Sequence, residues 1–216
     1  MDHNEAIKEL HNFTVVSLDT TTMPDREKMR STIEEVERNF GPDFPAPLAD
    51  ALANAILCYT AWYVRGDDRK SFLERAVRYY RLSGNRAALG RLLVEEAQVR
   101  DLKQAIPLLE ELYTNTKTYD PILCSYADAL YKDGQFIPAY EAALHIHRLA
   151  EEQWKSRPES IPTMPMQVVA KSLRAEARRL KKAGQQQEAI TMLTRLRETG
   201  QATANDIKQL ERLAGA

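Results

Sequence analysis

Apolar residues recur along this chain at spacings of three and four, and the alternation expected of a half-buried strand is hard to find. This pattern predicts an all-α protein with helices over 5–18, 24–39, 48–65, 68–82, 86–98, 102–116, 121–133, 136–153, 166–183, 186–199 and 204–214. Thr22 and Pro24 open the second helix and Gly41 closes it. The three prolines of GPDFPAP, 41–47, make that stretch a connector, and KSRPESIPTMP, 155–165, is the one long break in the later chain. Asp120 followed by Pro121 is a start signal: a carboxylate accepts from free N–H groups, and the proline ring has its φ already helical. Pro107 lies inside the 102–116 segment. There it removes a backbone bond at about 3 kcal/mol, which predicts a kink or a later helix start.

The helices repeat. Gly66, Arg100 and Gly134 are spaced by 34 and 34 residues, and Gly184 follows after 50, which is one more period plus a 16-residue insertion holding the proline-rich break. Ala105, Ala139 and Ala189 share one column, and Leu89, Leu123 and Leu173 another. Leu109, Ala143 and Leu193 form a third, and Leu112, Ile146 and Leu196 a fourth. Two antiparallel helices joined by a tight turn approach closely only where small residues face each other, and larger apolar residues a turn further on pack against the next pair. The expected organisation is N-terminal helices and connector over 1–47, then a repeat domain over 48–216. Its units are about 52–85, 86–119, 120–153 and 170–203, closed by a capping helix at 204–214 through Ile207, Leu210 and Leu213. The two N-terminal helices cap the other end, or helix 5–18 lies in the groove of its own chain or of a second copy.

In ADALYKDGQFIPAYEAAL, 127–144, the columns Ala127, Leu130, Gly134, Phe136 and Ala139 resemble the tetratricopeptide repeat, a 34-residue helix–turn–helix unit. Leu173, Ala177, Leu180, Gly184 and Ala189 fit the same pattern. The 86–119 unit keeps Leu89, Leu92, Leu102, Ala105, Ile106 and Leu109, with Leu93 replacing the small residue and Arg100 the glycine. In the 52–85 unit Trp62 and Gly66 fit, Tyr59 is large where a small residue is expected, and the second helix reads better with Phe72, Ala76 and Tyr79 inward. Other right-handed helix-pair solenoids produce the same pattern. The resemblance implies a right-handed α–α superhelix of three to four pairs, with the first helix of each pair lining a concave groove. Carried over, the groove shows Ile56, Thr60 and Tyr63, then Val94, then Cys124, Asp128 and Tyr131, then Lys171, Arg174, Arg178 and Lys181. Family members that clamp a C-terminal carboxylate use Lys and Asn at defined groove positions; Ile56 and Thr60 stand at those positions in the first unit here, so that clamp is not expected.

The groove therefore runs from small and apolar to strongly basic. The implied activity is non-covalent: a scaffold, adaptor or chaperone-like module that holds an acidic or amphipathic peptide or helix of another protein, with self-association as an addition. Reversing Arg174 and Arg178 together is then expected to weaken binding without lowering the melting temperature. The bland reading of KSLRAEARRLKKAG, 171–184, is a solvated helix face. Net charge adds a second class to the list. The chain carries −1 overall, yet residues 1–50 carry −6 and residues 151–216 carry +4. Helix 171–182 suits nucleic acid or another polyanion, but a pI near 6.5 and the lack of an aromatic–basic platform speak against nucleic acid.

Catalytic and cofactor chemistry finds little support. No GxSxG, GxGxxG or phosphate-loop motif occurs. Asp67–Asp68, Glu95–Glu96 and Glu110–Glu111 are adjacent pairs whose side chains diverge on a helix. His145 and His147 also point apart, no zinc-ligand spacing is present, and neither a metal nor a cofactor is expected. Cys58 and Cys124 read as two buried thiols in a reducing compartment, and no apolar run approaches the ~20 residues of a membrane helix, so a cytoplasmic protein is expected.

Overall fold

Helices carry most of the chain, and no strand occurs among the described residues. The computed structural model describes residues 2–18, 24–41 and 44–215, and the side chains of these apart from residues 15–18. The protein is all-α. Two compact units form, Met1–Asp101 and Leu102–Ala216. The division falls inside the expected 86–119 repeat and not at the 41–47 connector, because the N-terminal helices pack onto the first pair rather than standing apart.

Unit 1 holds α1 (His3–Leu18), α2 (Arg26–Phe40), α3 (Ala46–Tyr63), α4 (Asp68–Ser83) and α5 (Arg86–Glu95). Asp25 caps α2 by accepting from the Lys28 N–H at 2.7 Å. Thr22, expected to take part in opening this helix, lies outside the described residues, as do Pro42 and Asp43 of the connector. Helix α3 is apolar on nearly every side and is the hub of the unit: it packs against α4, α1 and α2. Polar bonds pin the neighbouring seams. Tyr80 donates to Asn54 Oδ1 at 2.8 Å and Asn85 to Asp50 Oδ1 at 2.7 Å, joining α4 and its end to α3. Arg75 holds Glu37 at 3.1 and 2.6 Å and Tyr79 donates to the same carboxylate at 2.9 Å, joining α4 to α2.

Unit 2 holds α6 (Leu102–Asn115), α7 (Leu123–Lys132), α8 (Phe136–Gln153), α9 (Met164–Lys182), α10 (Gln186–Glu198) and α11 (Ala204–Ala214). Each packs on the next, and α9 also reaches back to α7. Ala105, Ala139 and Ala189 are all fully buried, as are Leu173, Ala143, Ile146 and Leu196, so most members of the columns read from the sequence are core residues, Leu112 being only half-buried. Pro107 interrupts nothing: α6 runs through it, leaving only the Lys103 carbonyl without an amide to accept from at residue 107. The start at Asp120 is real but offset. Its side chain accepts from Ile122 N–H at 2.9 Å, a 3-10 turn follows, and the α-helix begins at Leu123. Pro165 sits at the second position of α9, where no amide is needed, so that helix begins inside the expected break.

The turns separate true equivalents from sequence columns. At Gly134 (φ 82°) the Gly134 N–H donates to Tyr131 O at 3.1 Å and Gln135 N–H to Leu130 O at 2.9 Å. At Gly184 (φ 76°) the Gly184 N–H donates to Lys181 O at 3.1 Å and Gln185 N–H to Leu180 O at 3.0 Å. Both are Schellman turns, and both release the chain into the next helix from a glutamine in the same conformation, φ −84° and ψ 67° at Gln135, φ −86° and ψ 72° at Gln185. Arg100 does not follow. A side chain there resists the left-handed conformation, so α5 stops at Glu95, a 3-10 turn spans Ala97–Val99, and Asp101 N–H reaches back to Leu93 O at 3.1 Å. Gly66 has φ 64°, but α3 has already ended at Tyr63, so its turn differs as well.

Candidate functional site

Lys171, Arg174, Arg178 and Lys181 are spaced three, four and three apart and so share one face of α9. Spacing alone does not distinguish them; their neighbours do. Lys171 forms an ion pair with Asp128 of α7 and lies 4.4 Å over the Tyr131 ring, a cation–π contact. Lys132 holds the other oxygen of Asp128 at 2.8 Å. Burial by itself would raise the Asp128 carboxyl, but the hydrogen bonds from Lys132 and Lys171 more than offset it, and the group lies below the ordinary carboxylate range.

Arg174 turns the other way. Its Nε donates to Asp206 Oδ2 at 2.9 Å and its Nη2 to Gln201 O at 2.7 Å, joining α9 to the start of α11. Asp206 is the third helical residue of α11 and closes a capping box: it accepts from Thr203 N–H at 2.8 Å, and its own N–H donates to Thr203 Oγ1 at 3.3 Å. Here too burial would raise the carboxyl, while Thr203 and Arg174 together hold it below its ordinary value. Glu176, buried, takes Arg179 at 2.7 and 2.6 Å. Arg178, Lys181 and Lys182 are exposed, and neither Arg178 nor Lys181 forms an ion pair or side-chain hydrogen bond among the described residues.

Seven of the eleven expected groove residues therefore lie in unit 2: Asp128, Tyr131, Lys171, Arg174, Arg178 and Lys181, together with Cys124, which is buried. The other four belong to unit 1 and correct the expectation of an open, apolar floor. Ile56, Thr60 and Val94 are at most 1% exposed. The Thr60 hydroxyl donates to Ile56 O at 2.6 Å within its own helix, and the half-buried Tyr63 donates to Pro24 O. For Ile56 and Thr60 the cause is the packing of α1 and α2 on α3. Arg174 is also tied into the fold, joining α9 to the start of α11, so its reversal is now expected to lower the melting temperature. Sequence reading passed over Asp206 and Glu176. Thr203-x-x-Asp206 ahead of an apolar run is the capping-box signature and was the available signal.

Elsewhere the chemistry is spare. No cluster of three or more His, Cys, Asp or Glu side chains suited to a metal occurs among the described residues. His145 Nδ1 lies 2.9 Å from the Tyr113 hydroxyl. Cys124 is buried, its thiol pushed up by that burial, with the Tyr119 hydroxyl 3.9 Å away; Cys58 is only half-buried, against the expectation of two interior thiols. A cleft of about 400 Å³ in unit 1 is walled by Lys70, Glu74, Arg81, Arg100 and Asp101, whose alternating signs favour no single ligand. No helix among the described residues is long and apolar enough to cross a membrane. Comparison with protein-family models, with curated proteins and with solved structures finds no match to this chain.

Proposed function

We propose that this chain is a non-covalent protein-interaction module, a scaffold, adaptor or chaperone-like protein whose later helix pairs stack in the manner of tetratricopeptide repeats. Its ligand is an acidic segment of another protein, held at the C-terminal half of α9. One observation carries the reading: in a stripe of four cations, Lys171 and Arg174 are already matched to Asp128 and Asp206, while Arg178 and Lys181 are exposed and pair with no acid among the described residues. Arg guanidinium recognises a carboxylate through a planar fork, and a neighbouring Lys adds a point charge. The shared turn at Gly134 and Gly184 supports the repeat assignment. A reducing cytoplasm suits the two free thiols. The same stripe weakens the polyanion alternative, since two of its four cations are neutralised before any phosphate arrives.

The test is a displayed random-peptide library panned on the full chain and on the double variant Arg178→Glu with Lys181→Glu. Enrichment of Asp- and Glu-rich peptides by the wild type, lost in the variant while its melting temperature stays within about 1 °C, is the expected result, since exposed substitutions of this kind stay within about 0.5 kcal/mol. Enrichment that ignores acidic residues, or that survives the double reversal, refutes it. A salt-sensitive shift of a mixed oligonucleotide pool at physiological ionic strength transfers the site to nucleic acid.

A further inference from the structure

Helices α6, α7 and α8 of unit 2 bring three rings together. Tyr113 of α6 packs against Tyr126 of α7, with centroids 4.9 Å apart and planes inclined by 31°. His145 of α8 stands nearly perpendicular to Tyr113 at 5.4 Å, and its Nδ1 lies 2.9 Å from the Tyr113 hydroxyl. Two carboxylates border the rings. Glu110, three residues before Tyr113 on the same face of α6, accepts from the Tyr126 hydroxyl at 3.4 Å. Glu141 lies four residues before His145 on the same face of α8. Burial, and then the Glu141 carboxylate, push the Tyr113 phenol up. Tyr126 is buried and Tyr113 half-buried, while His145, Glu110 and Glu141 are exposed.

Twice elsewhere the chain builds a ring and a carboxylate around a cation of its own. Arg75 lies 4.8 Å over the Phe72 ring and holds Glu37, the carboxylate that also accepts from the Tyr79 hydroxyl. Lys171 lies over Tyr131 and pairs with Asp128. The face of an aromatic ring carries negative potential, so ring and carboxylate together favour a positive charge. Around Tyr113 the rings and acids are present, but neither Glu110 nor Glu141 forms an ion pair among the described residues. The cations found over rings lie at Phe72, Tyr79 and Tyr131 instead. Burial raises the phenols of both Tyr79 and Tyr126; Arg78 and Arg75 oppose the rise at Tyr79, whereas Glu110 and Tyr113 add to it at Tyr126. Of the two basic side chains, arginine suits such a face better. Its planar guanidinium stacks on a ring while its N–H fork takes a carboxylate; an ammonium is a compact, strongly hydrated charge.

We infer that this face of α6 and α8 is a second interaction surface, opposite in charge to the α9 site, and that it takes an arginine-bearing segment of another protein. The guanidinium stacks against Tyr113, and its N–H groups bond Glu110 or Glu141. The surface shares no residue with the α9 site and stands or falls separately from it.

The probe is a fluorescein-labelled hexa-arginine peptide, read by anisotropy against the full chain at low salt, with hexalysine of equal charge as the comparison. The expected result is at least about threefold tighter binding of the arginine peptide, the scale of one exposed cation–π contact. Glu110→Gln together with Glu141→Gln should weaken it at least about fivefold. Tyr113→Leu should bring the two peptides to the same affinity, while Arg178→Glu with Lys181→Glu retains the arginine preference. Equal affinities in the wild type mark a plain acidic surface and overturn the inference. So does binding that survives loss of both carboxylates, or no binding at all. If Tyr113→Leu does not fold, the ring resonances of the wild-type chain decide: hexa-arginine must shift those of Tyr113 and His145, and shifts confined to other residues overturn it. A wild-type dimer that salt disperses and Glu110→Gln with Glu141→Gln abolishes assigns the surface to a second copy and overturns the partner reading.

Discussion

Replacing Asp206 by asparagine keeps the shape of the side chain and removes its charge. In the native chain Oδ2 of this residue accepts from Arg174 Nε at 2.9 Å, from Thr203 N–H at 2.8 Å and from the Thr203 hydroxyl at 2.7 Å, in a setting only 6% exposed. An amide oxygen still accepts from Thr203, so the cap weakens without vanishing. Arg174 keeps Gln201 O at 2.7 Å and is itself half-buried, so it is not stranded as an unpaired interior cation. The loss is therefore the charge assistance on these bonds, about 2 kcal/mol, below the ~3–5 kcal/mol of breaking a wholly buried pair. For a chain of this size that corresponds to a fall in Tm of about 4–8 °C. The pH dependence supplies an internal control. The Asp206 carboxyl lies below its ordinary value of 3.8, so its contribution is complete above that value and disappears as the pH falls through the folded-state pKa. Thermal melts of wild type and Asp206→Asn should differ at pH 7 and converge in strong acid. Arg174→Glu, which puts two carboxylates side by side, should cost at least as much at pH 7. A difference under about 1 °C at pH 7, or one that persists unchanged in acid, refutes the role given to this carboxylate.

Two further predictions concern the turns and the phenols. Gly184→Ala and Gly134→Ala should each cost about 1–2 kcal/mol in chemical denaturation, from backbone strain alone, since an added Cβ meets nothing within 4 Å at either position; no measurable change refutes the equivalence of the two turns. Burial, reinforced by Glu37 at Tyr79, by Cys124 at Tyr119 and by Glu110 at Tyr126, pushes these three phenols up to about 12. The folded state therefore favours their neutral form, and stability is complete below the unfolded value of 10.0 and is lost as pH rises toward 12. Absorbance at 295 nm should show a group of tyrosines still protonated at pH 11 until the chain unfolds; titration of all of them near 10 refutes it.

The helices were legible because each buries a stripe at a period near 3.6, and that period survives irregular ends. What the periodicity could not carry was the ends themselves. Pro107 suggested a kink or a later helix start, but the helix already begins at Leu102: the loss of one amide bond is local, and the apolar face around it, with Ala105 and Leu109 buried on either side, holds the helix together. Arg100 occupied a glycine column by counting alone; backbone conformation excludes it, and the chain inserts a 3-10 turn instead. The basic stripe was visible as spacing, but which of its members were free depended on Asp128 and Asp206, 43 residues before Lys171 and 32 after Arg174. Ile56, Thr60 and Val94 have the same sequence signature whether they face a groove or a neighbouring helix. Only the packing of α1 and α2 against α3 distinguishes the two for Ile56 and Thr60.

Hairpins α7/α8 and α9/α10 close through the same tight turn, while residues 154–163 between them absorb all the irregular length, with Lys155–Ser160 exposed. These two hairpins thus share one turn design and are joined by a connector whose length that design does not fix. A graft at that connector, whether a reporter, an affinity tag or a second module, would lengthen the join and leave the geometry of each hairpin untouched.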